Sequence, residues 1–219
     1  MFNTAPNMTP VWSKALGSRG FRNQLFLTLL VFVGVYMHNF HYLRVWQARE
    51  GTQINDVILN QLPPKDFSME IFMFEYCAIL MVLAFTIQNP NQFVKGLQMF
   101  ALLTLARTLS IYFFPLEPPK DMIRLEDPFA AFFLHTKDTF VTKDLFFSGH
   151  TSTLFLMYLS FQQRLDKYFS LTTTCLVAVL LLVQQDHYTI DVLTAPFFAY
   201  ISLIITKKRI FSSPNKLDN

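Results

Sequence analysis

Two short stretches of this chain carry side chains in an order suited to acid–base and nucleophilic chemistry on a phosphate. The first is Asp144-Leu-Phe-Phe-Ser-Gly-His-Thr151. Ser148, Gly149, His150 and Thr151 read as the cap and first turn of a helix. Backbone N–H groups there have no intrahelical acceptor, and the positive end of the dipole favours an anion. The second stretch is Gln184-Gln-Asp-His-Tyr-Thr-Ile-Asp-Val192. His187 and Asp191 are four residues apart, so on a helix they share a face and the carboxylate can orient the imidazole. A third feature is Arg107, a guanidinium inside an apolar run. Its most economical partner is a carboxylate or a bound phosphate held bidentately. Glu75, also inside an apolar run, is the structural alternative for that pairing.

The elements that must position these residues are membrane helices. The 219 residues are 52% hydrophobic with 25 Phe, and mean hydropathy is +0.32. The apolar residues come in runs rather than amphipathic stripes, and a bilayer crossing needs about 20 of them. The pattern predicts an all-α polytopic membrane protein, with six transmembrane helices in a single bundle. The spans fall at roughly 23–43, 68–87, 93–114, 148–163, 169–185 and 188–206. A polar, disordered or interfacial segment (1–22) and a basic tail (207–219) flank this membrane catalytic domain, 23–206. No basic cluster is dense enough for nucleic acid. Cys77 and Cys175 sit within apolar runs and read as packing residues rather than a disulfide.

Local signals refine the boundaries. Pro63-Pro64 stops any helix and sets an extended approach to span two, and Pro196 should kink span six. His38 and His41, near Tyr36, Tyr42 and Trp46, read as an interfacial aromatic belt. The long loop before the Ser-Gly-His turn holds an apolar patch at 129–134 suited to a lid, and His135 reads as surface. With six spans both termini share one side, and a modest excess of Lys and Arg places that side in the cytoplasm. His150, His187, Asp191, Asp144, Asp186 and Arg107 then converge at the opposite face, periplasmic, extracellular or lumenal.

The constellation resembles the lipid phosphatase and phosphotransferase superfamily typified by type 2 phosphatidic acid phosphatases, and within it the sphingomyelin synthase branch. That branch carries Gly-Asp-x-x-x-Ser-Gly-His-Thr, which Asp144–Thr151 matches from the Asp onward, and His-Tyr-Thr-x-Asp-Val, which 187–192 reproduces. Pro63-Pro64-Lys65-Asp66 and Ala106-Arg107 are weaker echoes. The departures are Lys143 where the branch has Gly, the missing Cys of its eukaryotic members, and the absence of the phosphatase Lys-x6-Arg-Pro and Ser-Arg motifs. Those cations would clamp a phosphomonoester dianion. Their absence favours a singly charged phosphodiester. Asp144 and Asp186, with Phe146, Phe147, Tyr112 and Tyr188, then offer a place for a choline or ethanolamine cation.

The resemblance implies catalytic His150, His187 and Asp191. Arg107, Asp144, Ser148, Gly149, Thr151 and Tyr188 would bind phosphate or head group. It implies a phosphohistidine transfer from a phospholipid donor to a lipid hydroxyl (ceramide or diacylglycerol) or water, with no metal or organic cofactor. The alternatives are a lipid phosphate phosphatase or phospholipase C-like hydrolase on the same residues, an intramembrane metal hydrolase with ligands among His38, His41, His150, His187 and Asp191, and a non-catalytic lipid binder. Head group, acceptor and oligomeric state stay open.

Overall fold

Apolar runs closed by breakers become helices here, and the helix starts are chemically marked. Asn89 caps one: its side chain accepts a bond from Gln92 N at 3.3 Å, and Pro90 takes the first helical position, where its missing N–H leaves nothing unpaired. The computed structural model describes residues 8–127, 142–161 and 163–210. The helices among them are α1 (Met8–Gly17), α2 (Arg19–Ala48), α3 (Ser68–Thr86), α4 (Pro90–Phe113), α5 (Gly149–Ser160), α6 (Arg164–Val183) and α7 (Thr189–Ile210). A 3-10 turn, Leu59–Gln61, lies between α2 and α3. Among the described residues the extended backbone is limited to a parallel bridge between Thr52 and Leu116.

Helices α2, α3, α4, α6 and α7 are long and apolar enough to cross a bilayer. The expected span over 148–163 is shorter: α5 has 12 residues, about 18 Å at 1.5 Å per residue. It stops because Phe161 leaves helical geometry. Yet α5 is the most enclosed helix. One side packs Leu154 and Met157 into a core with Ile71, Ala78, Val177 and Leu181 from α3 and α6. Its other side packs Leu156 against Met99 and Leu103 of α4 and against Ala195 and Ala199, whose small side chains let α7 come close.

Within the described part of the amino-terminal segment, α1 is helical and tied down. Trp12 Nε1 donates to Ile87 O at 2.7 Å, and its ring meets Phe21 and Phe93 edge-on. Cys77 and Cys175 are free and exposed rather than packed. They sit on outer faces of α3 and α6, where a thiol can replace an aliphatic group against lipid. Helix α7 runs through Pro196 unbroken. The His38 ring lies tilted against Tyr42 and Trp46, with centres 4.4 Å and 6.4 Å away. The 129–134 patch and His135 lie outside the described residues.

Alternating helix ends meet at one pole. Arg49, just after α2, donates to Tyr112 O near the end of α4. Lys65 N, ahead of α3, donates to Val183 O at the end of α6. Ser148 N, ahead of α5, donates to Asp191 O in the first turn of α7 at 3.0 Å.

Candidate active site

The Ser-Gly-His turn is set by its cap and by Arg107. Ser148, fully buried, is the N-cap of α5; its Oγ accepts from Thr151 N at 3.4 Å and donates to Thr151 Oγ1 at 3.1 Å. Arg107 reaches across from α4. Its Nε donates to Asp144 Oδ1 at 3.0 Å, Nη1 to Phe147 O at 2.8 Å and Nη2 to Asp144 O at 2.8 Å. Asp144 Oδ2 completes a fork at 2.9 Å from Nη2. A side chain on Gly149 would overlap the guanidinium, so glycine is what lets the arginine lie against the turn. Arg107 therefore holds the turn in place, and its charge is met by Asp144.

In the second motif His187 lies on the turn before α7, so it does not share a helix face with Asp191. Tyr188 holds the N-cap position and Asp191 the third helical position. Asp191 Oδ2 accepts from Tyr188 N at 3.0 Å, the returning half of a capping box. That box, rather than helical spacing, turns the carboxylate toward His187. Asp191 Oδ2 stands 3.6 Å from His187 Nδ1, within ion-pair range but beyond a hydrogen bond. On the other side of the ring, Asp186 Oδ2 is 3.7 Å from Nε2. Both His187 and Asp191 are buried, and His187 Nδ1 and Asp191 Oδ1 are unpartnered polar atoms.

The two motifs share one site. Besides the Ser148–Asp191 backbone bond, Phe147 stacks on Phe198 of α7 with ring centres 4.1 Å apart. His150 Nδ1 is 2.7 Å from Glu75 Oε2, and Phe72 meets the imidazole edge-on. Glu75 is thus the partner of His150, and the alternative pairing with Arg107 does not form because Asp144 and the Phe147 carbonyl occupy that guanidinium. Among the described residues no three His, Cys, Asp or Glu side chains are grouped to hold a metal ion.

Of the residues singled out by sequence, His150, His187, Asp191, Ser148, Gly149, Thr151, Asp144 and Arg107 come together. Tyr188 does not face the imidazoles. It is buried among Leu59, Leu116 and Leu145, and its hydroxyl donates to Glu117 O at 2.9 Å and accepts from Ile54 N at 3.3 Å. Burial raises that phenol above its ordinary pKa. Lys143, where the branch has glycine, bonds Glu117 Oε1 at 2.7 Å and Arg49 O at 2.6 Å. Its donated bond, with one from Gly51 N, holds Glu117 below the usual carboxylate range. Sequence reasoning missed Gln184, which is fully buried. Its side chain accepts from Phe67 N at 2.9 Å and donates to Ser68 Oγ at 2.8 Å, tying α3 to the second motif. The signal available was a pair of polar amides closing an apolar run.

Residues 143–208 match the family model described as PAP2 superfamily C-terminal. The matched stretch contains both histidine motifs. Over that stretch the match supports a likeness to the PAP2 superfamily, and the five long apolar helices fit a multi-pass membrane protein. No curated protein matches the chain.

Proposed function

We propose that this protein is a membrane-embedded lipid phosphotransferase, moving a phospholipid head group of the phosphocholine or phosphoethanolamine type to a lipid hydroxyl through a phosphohistidine. One observation carries the reading: two imidazoles rise from adjoining helix starts, each with its own carboxylate, His150 with Glu75 and His187 with Asp191. Asp191, facing Nδ1, keeps the proton on that nitrogen and leaves the Nε2 lone pair to attack phosphorus. The bond from phosphorus to the diacylglycerol oxygen breaks, and His150 Nε2 gives that oxygen a proton. His150 then takes the proton from the acceptor hydroxyl, whose oxygen displaces His187. Backbone N–H groups of the Gly149 turn stabilise the charge on the phosphoryl oxygens.

The charge balance favours a phosphodiester. Asp186 lies beside Nε2, and Asp144 already neutralises Arg107. A singly charged phosphate with a cationic head group suits such surroundings better than a dianion. Six crossings of one bundle, with cytoplasmic termini and the site at the opposite face, complete the proposal.

The test uses purified protein in liposomes, a chelator, head-group-labelled phospholipid and a pool of lipid hydroxyl acceptors. Label moving to a second lipid, and lost in His187→Ala, supports the transferase. Label released as a water-soluble phosphate ester identifies a phospholipase C-like hydrolase, and cleavage of phosphatidate alone identifies a phosphatase. Full turnover by His187→Ala overturns the phosphohistidine.

A further inference from the structure

We propose that Asp56, in the loop between α2 and α3, is a positioning residue for the reaction: it holds the first turn of α7, and with it the setting of His187 against Asp191. The N-cap residue of α7, Tyr188, contributes no side-chain acceptor to the first turn. A phenol at the N-cap cannot fold back onto the first turn as Ser, Thr, Asp or Asn would, and the Tyr188 hydroxyl is bound to Glu117 O instead. Asp56 supplies the missing acceptor from 133 residues away in the chain. Its Oδ2 accepts from Thr189 N at 2.6 Å and its Oδ1 from Thr189 Oγ1 at 3.0 Å.

The carboxylate is itself fixed before it reaches α7. Oδ1 also accepts from Ile58 N at 3.0 Å and Leu59 N at 3.2 Å, capping the 3-10 turn. That loop is pinned to the second motif and to the stretch after α4. Gln185 Nε2 donates to Leu62 O at 3.0 Å, and Thr52 N to Pro115 O at 3.0 Å. A negative charge at this helix start is also favoured by the dipole.

The functional consequence follows from the capping box. Tyr188 N holds Asp191 Oδ2, so the backbone around Tyr188 and Thr189 decides how the carboxylate meets the imidazole. The gap is 3.6 Å, a fraction of an ångström beyond a hydrogen bond. A misplacement of about 1 Å in a reacting group costs on the order of a hundredfold in rate. Asp56 is the anchor that limits such movement.

This inference rests on His187 as nucleophile, so its test includes a readout independent of turnover. Asp56→Ala, Asp56→Asn and Thr189→Val are made in the full chain. The kcat and KM for head-group-labelled phospholipid are measured per folded protein, together with the 15N imidazole resonances of histidine-labelled protein. Asp56→Ala is expected to lower kcat roughly ten- to hundredfold at near-constant KM and to move the His187 resonances. Asp56→Asn, which keeps one acceptor oxygen, recovers part of the rate. Thr189→Val, which keeps the N–H bond, falls less. An unchanged kcat with unmoved resonances in Asp56→Ala overturns the proposal, as does a loss that disappears once scaled to folded protein. Full turnover by His187→Ala removes the phosphohistidine reading alone, and the resonances still report whether Asp56 sets the imidazole.

Discussion

At the residue scale, the proposed mechanism gives His150 and its partner Glu75 the acid–base half of the site. With Nδ1 held 2.7 Å from Glu75, Nε2 is the nitrogen left to move a proton. Glu75→Gln keeps the shape and an acceptor oxygen but removes the charge that steadies the imidazolium. Its kcat should fall by about two orders of magnitude, in line with loss of general acid–base catalysis, with KM little changed. Steady-state kinetics on folded variant would check this, and an unaltered kcat would reduce Glu75 to a neutralising neighbour. Gly149 gives a second residue-scale outcome. A methyl there meets the end of a flexible side chain, which usually swings away. Here Arg107 is pinned by Asp144 and by Phe147 O, so making room breaks those bonds. Gly149→Ala should lose about 1–3 kcal/mol of stability and most activity, read from thermal unfolding in detergent and from turnover.

The loops at the active pole act as elements because their polar groups are shared. Lys143, Glu117 and Gly51 form one joint; Asp56 and Thr189 form another. At Gly51 an added Cβ would sit 2.6 Å from the Leu116 carbonyl carbon, and rigid backbone cannot yield, so Gly51→Ala should open this joint. Both acids sit below their ordinary pKa values. For Asp56, burial works upward but is outweighed by the bonds from Thr189, Leu59 and Ile58; for Glu117, the Lys143 bond leads. A depressed carboxylate adds stability that is full above its unfolded pKa and is lost as pH falls through the folded one. Thermal midpoints should therefore hold near neutrality and drop below about pH 4. Glu117→Gln should start lower and flatten part of that drop; an identical acid limb would show the joint contributes nothing. These joints also mark the limit of what the sequence displayed. Apolar runs located the long helices to within a few residues, and the two histidine motifs gathered their own residues. Arg107 advertised a need for a partner but not which one. The reach from Asp56 to Thr189, and the meeting of Glu75 with His150, depend on which faces of distant elements touch. Neither spacing nor periodicity encodes that.

For the whole molecule, the question is how a site built from helix starts and loop joints sits across a bilayer. Helix α5 spans about 18 Å, and the three-residue link to α6 adds at most about 10 Å. Together they come close to a hydrocarbon core of about 30 Å. A short helix buried on both sides can thus serve as the proposed sixth crossing without facing much lipid itself. The pole carrying His150 and His187 then lies opposite α1 and the start of α2, where Lys14, Arg19 and Arg22 gather, and the proposed topology puts that end in the cytoplasm on the positive-inside preference. Sidedness can be read without any turnover. In a background with the exposed Cys77 and Cys175 replaced by Ala, Gln53→Cys places a thiol on the active pole and Lys14→Cys places one on α1. Both native side chains are exposed. In intact cells an impermeant maleimide should label Gln53→Cys at once and Lys14→Cys only after permeabilisation. The reverse pattern would turn the protein over in its membrane, giving the site cytoplasmic donors and acceptors while leaving its chemistry as drawn. Labelling of both thiols from outside would put the two poles on one side, and a bundle that ends its chain by six crossings could not produce it.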